Sequence, residues 1–297
     1  MANNLGAVAQ EFTNALDEIL AAEIKTGDLT LNQELVGEFA GVGKVNVAKI
    51  ALDGLADYDR TNGFVAGGLT TSWEVLALEY DRGREFSIDV IDDEERELVA
   101  SANAMGEFVR TKVVPEVDAI RFAKLFAGAA SGNKAAANLS ASTVEDAILA
   151  GEAKVADETD LDGCLLYITR PVLNMLRKAL PYRIGQGENP NGKFDTFDDM
   201  KIVIVPQARF YSAIDLLDGT TSGKEAGGYA KASAGKNLNF MIVNPRAAAA
   251  IQKHQKLRYF SPDENQDADA HKWQYRVFHD LLVFDNKASL VYAHTVA

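Results

Sequence analysis

The sequence predicts an α+β fold organised around one long helix, with an extended β-hairpin leaving the body. Three observations carry that reading. Asp92 to Ala127 places an apolar residue every three or four positions over about 35 residues, roughly 50 Å of helix. Two alternating strand runs, Val45–Ile50 and Trp73–Leu78, flank residues 53–72, which are rich in Gly, Asp and Thr. From Cys164 onward, short apolar strand runs alternate with helix starts.

The 297 residues are 47% apolar and 25% charged, enough for a real core in one or two domains. No apolar run approaches the roughly 18 residues of a membrane span. Met1-Ala2-Asn3-Asn4 lacks the basic and apolar blocks of a signal peptide. The single Cys164 excludes an internal disulfide and fits a reducing cytoplasm. A formal net charge of −13 argues against a surface that grips nucleic acid phosphates. It is compatible with a protein that encloses nucleic acid without holding it tightly.

Taken in order, residues 1 to about 40 form a separate segment. Val8, Phe12, Leu16, Ile19 and Leu20 share one side of a short helix that needs a partner surface, on its own chain or a neighbour's. The hairpin follows, with Asn62-Gly63 as a tight-turn signal. Its polar, Gly-rich residues cannot bury enough surface to fold alone, so something else holds it. Asp81 to Phe86 leads through one more strand, Phe86–Val90, into the long helix.

That helix opens on a capping-box pattern, Asp92 with Glu95, and Asp93 and Glu94 suit the positive end of its dipole. Leu98, Ala102, Met105, Val109, Val113, Val117 and Ile120 form the stripe, widened by Phe108, Phe122 and Leu125. Pro115 is expected to bend the helix, and Gly128 to Gly132 to end it.

Ser131–Ser140 reads as a loop of small residues, and Ser142 with Glu145 as the cap of a second helix running to about Ala156. Leu165–Ile168 is a strand, and Thr169 caps a helix with Pro171 in its first turn. Met200–Val205 and Leu238–Val243 are buried-strand runs, and Asn244-Pro245 opens a helix to Lys253. The loop from Asp218 to Lys236 is long enough to be functional or mobile. Strands at Tyr275–Phe284 and Ser289–His294 flank a turn at Asp285-Asn286-Lys287.

Catalytic and metal signatures fail on inspection. Gly43-Lys44 and Gly223-Lys224 lack the first glycine of a phosphate loop, and Asn237 stands where Gly235-Lys236 needs Ser or Thr. Asp263 to Asp269 imitates a calcium loop, but Ala268 and Gln274 occupy positions that need Gly and Glu. The acidic run at Asp89 and Asp92–Glu95 has a helix start to serve. His279-Asp280 reads as a structural polar pair at a strand edge. No catalytic, cofactor or metal residue is assigned.

Several local stretches, in order, resemble one family. Trp73-Glu74, Asp81-Arg82-Gly83-Arg84-Glu85-Phe86-Ser87-Ile88-Asp89, Met105-Gly106-Glu107-Phe108 and Val113-Val114-Pro115-Glu116-Val117-Asp118-Ala119 are similar to the surroundings of the spine helix in tailed-phage major capsid proteins of the Hong Kong 97-like fold. Asn239 to Pro245 resembles the strand and helix start of their axial domain. Arg258 to Pro262 and Tyr275 to Asp280 resemble their C-terminal portion.

The resemblance implies an N-terminal arm over 1–43 and peripheral-domain strands over 44–91, with the extended hairpin (E-loop) at about 53–72. It further implies a peripheral domain over 92–160 with the spine helix at 92–127, an axial domain over 161–270, and C-terminal strands over 271–297 returning to the peripheral domain. It implies hexamers and pentamers of an icosahedral shell around double-stranded DNA, assembled in a bacterial host cytoplasm and found in the virion. Scaffolding, portal and decoration proteins are the expected partners besides the chain itself, with no membrane and no cofactor.

Asp57, Tyr58, Asp59, Arg60, Asn62, Gly63 and Phe64 are the expected intersubunit contacts of the hairpin. Pro115 is the expected bend. Residues 53–72 contain no Lys, so the Lys–Asn cross-link of some relatives has no lysine there. With only about 40 residues before the first strand, no long cleaved scaffolding region is expected. An encapsulin-type nanocompartment is the alternative within the fold, and a cytoplasmic enzyme using the 218–236 loop the alternative outside it.

Overall fold

The computed structural model describes residues 23–29, 36–39, 44–58, 60–61, 63–90, 105–161, 163–180, 183–189 and 192–297. The expected N-terminal amphipathic helix, the capping box at Asp92 and Glu95, and the first turns of the spine lie outside these residues.

The hairpin belongs to a three-stranded antiparallel sheet, β1 (Val36–Phe39), β2 (Lys44–Leu52) and β3 (Leu69–Ala77). The β2–β3 ladder runs unbroken from Lys44↔Ala77 to Leu52↔Leu69. At its end Asp53 N–H donates to the Gly68 carbonyl, and Gly68 N–H donates to the Asp53 carboxylate at 2.6 Å. The described residues between 54 and 67 project beyond that closure.

A second sheet has the order β13-β14-β4, from β13 (Ala248–Phe260), β14 (Ala270–Val283) and β4 (Tyr80–Asp89). β4 begins six residues before the expected Phe86. It is an edge strand whose residues alternate, with Tyr80, Arg82, Phe86 and Ile88 turned inward and Asp81, Glu85, Ser87 and Asp89 toward solvent, so the charged run fits a strand.

The expected helix from Asn244 to Lys253 is a correction. Pro245–Ala247 makes one 3₁₀ turn, and Ala248 then starts β13. Alanine favours helix by a few tenths of a kcal/mol. Here Ala248, Ala249 and Ala250 are buried and pair with Val283, Leu282 and Leu281, and tertiary burial overrides that preference.

The third sheet has seven strands in the order β5-β15-β12-β6-β9-β8-β7. These are β5 (Lys134–Ala136), β6 (Leu165–Thr169), β7 (Ile184–Asn189), β8 (Gly192–Phe197), β9 (Met200–Val205), β12 (Leu238–Val243) and β15 (Val291–Thr295). β9 and β12 match the sequence reading. β5 replaces the expected small-residue loop, because it pairs in parallel with the C-terminal β15. The C-terminal stretch divides: β14 lies in the three-stranded sheet and β15 in the seven-stranded one.

Helices cover both faces of the seven-stranded sheet. α1 (Val114–Gly128) lies on one, α2 (Val144–Ala156) and α3 (Arg170–Ala179) on the other. β12 alternates accordingly. Met241 and Val243 pack with Phe122 and Leu125 of α1, while Phe240 and Ile242 pack with Ile148 of α2 and Leu173 of α3. Thr169 holds the N-cap position of α3, without a side-chain capping bond, and Pro171 lies in its first turn as expected. At α2 the N-cap is Thr143, not Ser142, and its hydroxyl accepts from Ser140 N–H instead of capping the helix.

α1 is the C-terminal part of a longer helical run. Met105–Phe108 is α-helical, Val109–Val113 is π-helical, and α1 follows directly. Met105, Val109, Val113 and Val117 pack on Leu257, Trp273, Tyr275 and Val277 of the three-stranded sheet. The helix therefore joins the two sheets, one with each half.

β8 turns into β9 through Asp198 and Asp199, with φ of 45° and 66°. A two-residue turn of this kind needs positive φ at both positions, which favours Asn-Gly. Asp199→Gly should therefore raise stability by about 0.5–1 kcal/mol, the relieved left-handed strain less the glycine entropy. A urea midpoint that fails to rise would contradict this.

Candidate functional site

Three features stand apart from ordinary packing. The first is the hairpin tip. Leu55, Tyr58, Phe64 and Val65 are exposed, as are Leu52 and Leu69 at its base. Tyr58 and Phe64 meet edge to face at 4.9 Å between ring centroids, so the tip holds an aromatic pair. Asp57 and Arg60 are exposed beside it, and Gly63 takes φ 83°, as its turn requires. Asp59 and Asn62 lie outside the described residues. The tip thus gathers Asp57, Tyr58, Arg60, Gly63 and Phe64 on one projecting element.

The second feature is a cleft of about 690 Å³ beside the π-helical segment, bounded by β4, β14 and the β10–β11 hairpin (Ile214–Leu217 and Gly228–Lys231). Pro115 lines it. Proline has no N–H, and its ring crowds the carbonyl four residues back, that of Thr111. The helix accommodates this by widening: Val114 N–H donates to the Val109 carbonyl five residues back, and the Thr111 hydroxyl donates to the Glu107 carbonyl at 2.7 Å. Where a bend was expected, the helix has a π segment just before the proline. Pro115→Ala should return the ladder to α geometry and stabilise the isolated subunit by up to about 3 kcal/mol, read as a higher melting temperature; an unchanged or lower one would contradict it.

Arg82 organises the cleft. Its guanidinium donates to Glu116 at 2.6 Å and to the carbonyls of Leu217 and Gly228 at 2.9 and 3.2 Å. Arg84 donates to the Glu225 carbonyl, and Asp218 accepts from Thr220 N–H, Thr221 N–H and the Thr221 hydroxyl, holding its carboxyl well below the usual range. Within the 218–236 stretch, read as a functional or mobile loop, Gly228–Lys231 is the second strand of the β10–β11 hairpin, and Arg84 of β4 bonds the loop that precedes it.

His279-Asp280 is also corrected. β14 is the central strand, so neighbouring residues point to opposite faces and do not form a pair. His279 lines the cleft, 1% exposed, and burial with the charges of Arg121 and Arg82 lowers its pKa to about 3. Asp280 accepts from Glu79 N–H at 3.1 Å and stands near Lys124.

The third feature is a buried ionic node that joins three distant parts of the chain. Asp118 is wholly buried on α1. It accepts from Lys25 N–H, Thr26 N–H and the Thr26 hydroxyl, and pairs with Arg209 at 2.9 Å. Arg121, one turn on, donates to the Thr26 hydroxyl at 3.0 Å, and burial lowers its pKa to about 10. Asp28 adds an ion pair to Lys201 of β9. The node fixes the base of the N-terminal segment to the spine helix and the seven-stranded sheet. Sequence reading missed it. The only signal was a pair of charges, Asp118 and Arg121, spaced as helix neighbours beside Val117 and Ile120.

Among the described residues there is no cluster of three potential metal ligands, and no helix is long and apolar enough to cross a membrane. The calcium-like loop puts Asp267 in an ion pair with Lys272 at 2.7 Å.

No protein-family model and no curated protein matches the sequence. Solved structures do. The mature capsid of bacteriophage PhiM1 is 11% identical with a TM-score of 0.57, covering 87% of this chain and 83% of that one. The structure from Mycobacterium phage Ogopogo is 12% identical with a TM-score of 0.52, covering 94% and 91%. A virus-like particle from Pyrococcus furiosus is 10% identical with a TM-score of 0.53, covering 97% and 99%. These likenesses establish the fold: an α+β capsid fold of the Hong Kong 97-like kind, over nearly the whole chain.

Proposed function

We propose that this chain is a major capsid subunit, which self-assembles into hexamers and pentamers of an icosahedral shell around double-stranded DNA. The fold is that of capsid structures, and one observation carries the reading further. The hairpin presents Leu55, Tyr58, Phe64 and Val65 to solvent at the end of the β2–β3 ladder, with little among the described residues to cover them. Beyond the pairing of β1 with Val45 and Val47 the ladder is two-stranded, an arrangement marginal in water by itself, and burying each such side chain contributes roughly 1.5–3 kcal/mol. A neighbouring subunit supplies the missing surface. In this account Asp57, Tyr58, Asp59, Arg60, Asn62, Gly63 and Phe64 make intersubunit contacts.

The acidic charge suits this role, since a shell must enclose DNA without gripping it. The reading requires no catalytic residue and no cofactor. Portal, scaffolding and decoration proteins are its natural partners, and the virion its location.

Purified from infected cells, the protein should sediment as megadalton particles that protect double-stranded DNA from nuclease. Particles that protect enzymes and no DNA would support the nanocompartment alternative. A small oligomer under every assembly condition would refute both. Pro115 bears on the same reading. If the distorted helix adapts subunits to differently curved positions, Pro115→Ala shells should change in diameter or fail to expand, and unchanged particles would make the distortion a purely local one.

A further inference from the structure

β7 and β8 form a ribbon that is attached to the rest of the seven-stranded sheet by a short ladder. β7 pairs with β8 over six residue pairs, from Ile184↔Phe197 to Asn189↔Gly192. β8 pairs with β9 at only Thr196↔Lys201 and Phe197↔Met200. The connection is the Asp198–Asp199 turn, with both residues at positive φ. An ion pair closes the foot of the ribbon: Arg183, just before β7, donates through Nε and Nη2 to the two carboxylate oxygens of Asp198, just after β8. A second pair, Arg177 of α3 to Asp195, holds one side.

Glu152 of α2 stands at this foot. It is 7% exposed, and its Oε1 is buried without a hydrogen-bond partner among the described residues. Asp198 is its negative neighbour and Arg183 the positive one. Of the other elements packed on α2, α3 has Arg177 committed to Asp195, β15 places the Tyr292 ring against Gly151, β12 packs through Ile242, and the 3₁₀ turn Asp285–Leu290 carries Asp285 and Lys287, the latter over the Phe284 ring.

An ionised Glu152 therefore finds the cation facing it, Arg183, already engaged. It repels Asp198 and competes for Arg183, whose Nε and Nη2 are held by Asp198, and both effects weaken the clasp. We propose that the β7–β8 ribbon is a flap hinged at the Asp198–Asp199 turn, closed while Glu152 is protonated and released when Glu152 ionises. Burial, and next the charge of Asp198, raise the Glu152 pKa to about 7 against the opposing pull of Arg183. The folded-state pKa lies above the ordinary carboxylate value. The closed form is thus favoured below neutral pH and weakened as pH rises through about 7.

The inference stands independently of the shell reading. Hydrogen exchange of the full chain at pH 6 and 8.5, corrected for intrinsic rates, tests it, with β12 amides as the internal reference. Protection of the 184–197 amides should fall by about tenfold relative to β12, the amount that ionisation of a group with a closed-state pKa of about 7 supplies over this interval when it is linked to opening of the ribbon. Glu152→Gln should reduce that change to under twofold, and Arg183→Gln should leave the ribbon open at both pH values. Equal ribbon protection at pH 6 and 8.5 in the wild-type chain would overturn the proposal without any variant. So would a Glu152→Gln chain that keeps the full pH dependence.

Discussion

Replacing Asp118 with alanine should lower the melting temperature of the subunit by roughly 10 °C. The change removes the acceptor for Lys25 N–H, Thr26 N–H and the Thr26 hydroxyl, and leaves Arg209 without its carboxylate. Breaking one partner of a buried ion pair costs about 3–5 kcal/mol, and a chain of this size loses a few degrees for each. Total stability is only about 5–15 kcal/mol, so this is a large share of it. Arg276→Ala is the control. Arg276 bonds Asp81 at 2.8 Å, but the two side chains are 61% and 41% exposed, and such a pair contributes under about 1 kcal/mol. A denaturation series in which both variants lose similar small amounts would show that the node does not hold the N-terminal segment.

The second large effect concerns assembly. Exchanging residues 54–67 for a short Gly-Ser turn leaves the Asp53–Gly68 closure and the whole β2–β3 ladder in place. The truncated subunit should fold, with a melting temperature within a few degrees of the parent, because the tip's large apolar side chains are exposed and few core contacts depend on it. It should form no closed shells. Phe64→Ala should act in the same direction more weakly, losing about 2 kcal/mol per contact, which repeats over every subunit of a particle. Normal particles from the tip deletion, counted by light scattering and gradient sedimentation, would remove the hairpin from the assembly mechanism.

The parts legible in the sequence were those governed by local pattern. Met105, Val109, Val113 and Val117 recur at helical spacing, and β9 and β12 are continuous apolar runs that burial on both faces requires. The hairpin announced itself through composition. What failed was decided by distant partners. Ala248–Ala250 reads as helix until β14 pairs with it, and Lys134–Ala136 reads as loop until the C-terminal strand arrives about 150 residues later. β7 and β8 carry too few large apolar residues to show a strand period. Pro115 reads as a bend, whereas the π segment just before it left no trace in the sequence pattern. The Asp118 node could not be derived, since Thr26 and Arg209 sit about 90 residues away on either side.

Negative-stain imaging of the purified protein tests the central claim most directly. The account predicts closed, uniform, icosahedral particles built from this chain, formed at moderate ionic strength where screening relieves repulsion between subunits of charge −13. A field of single subunits or small rings, unchanged across salt and protein concentration, would contradict it.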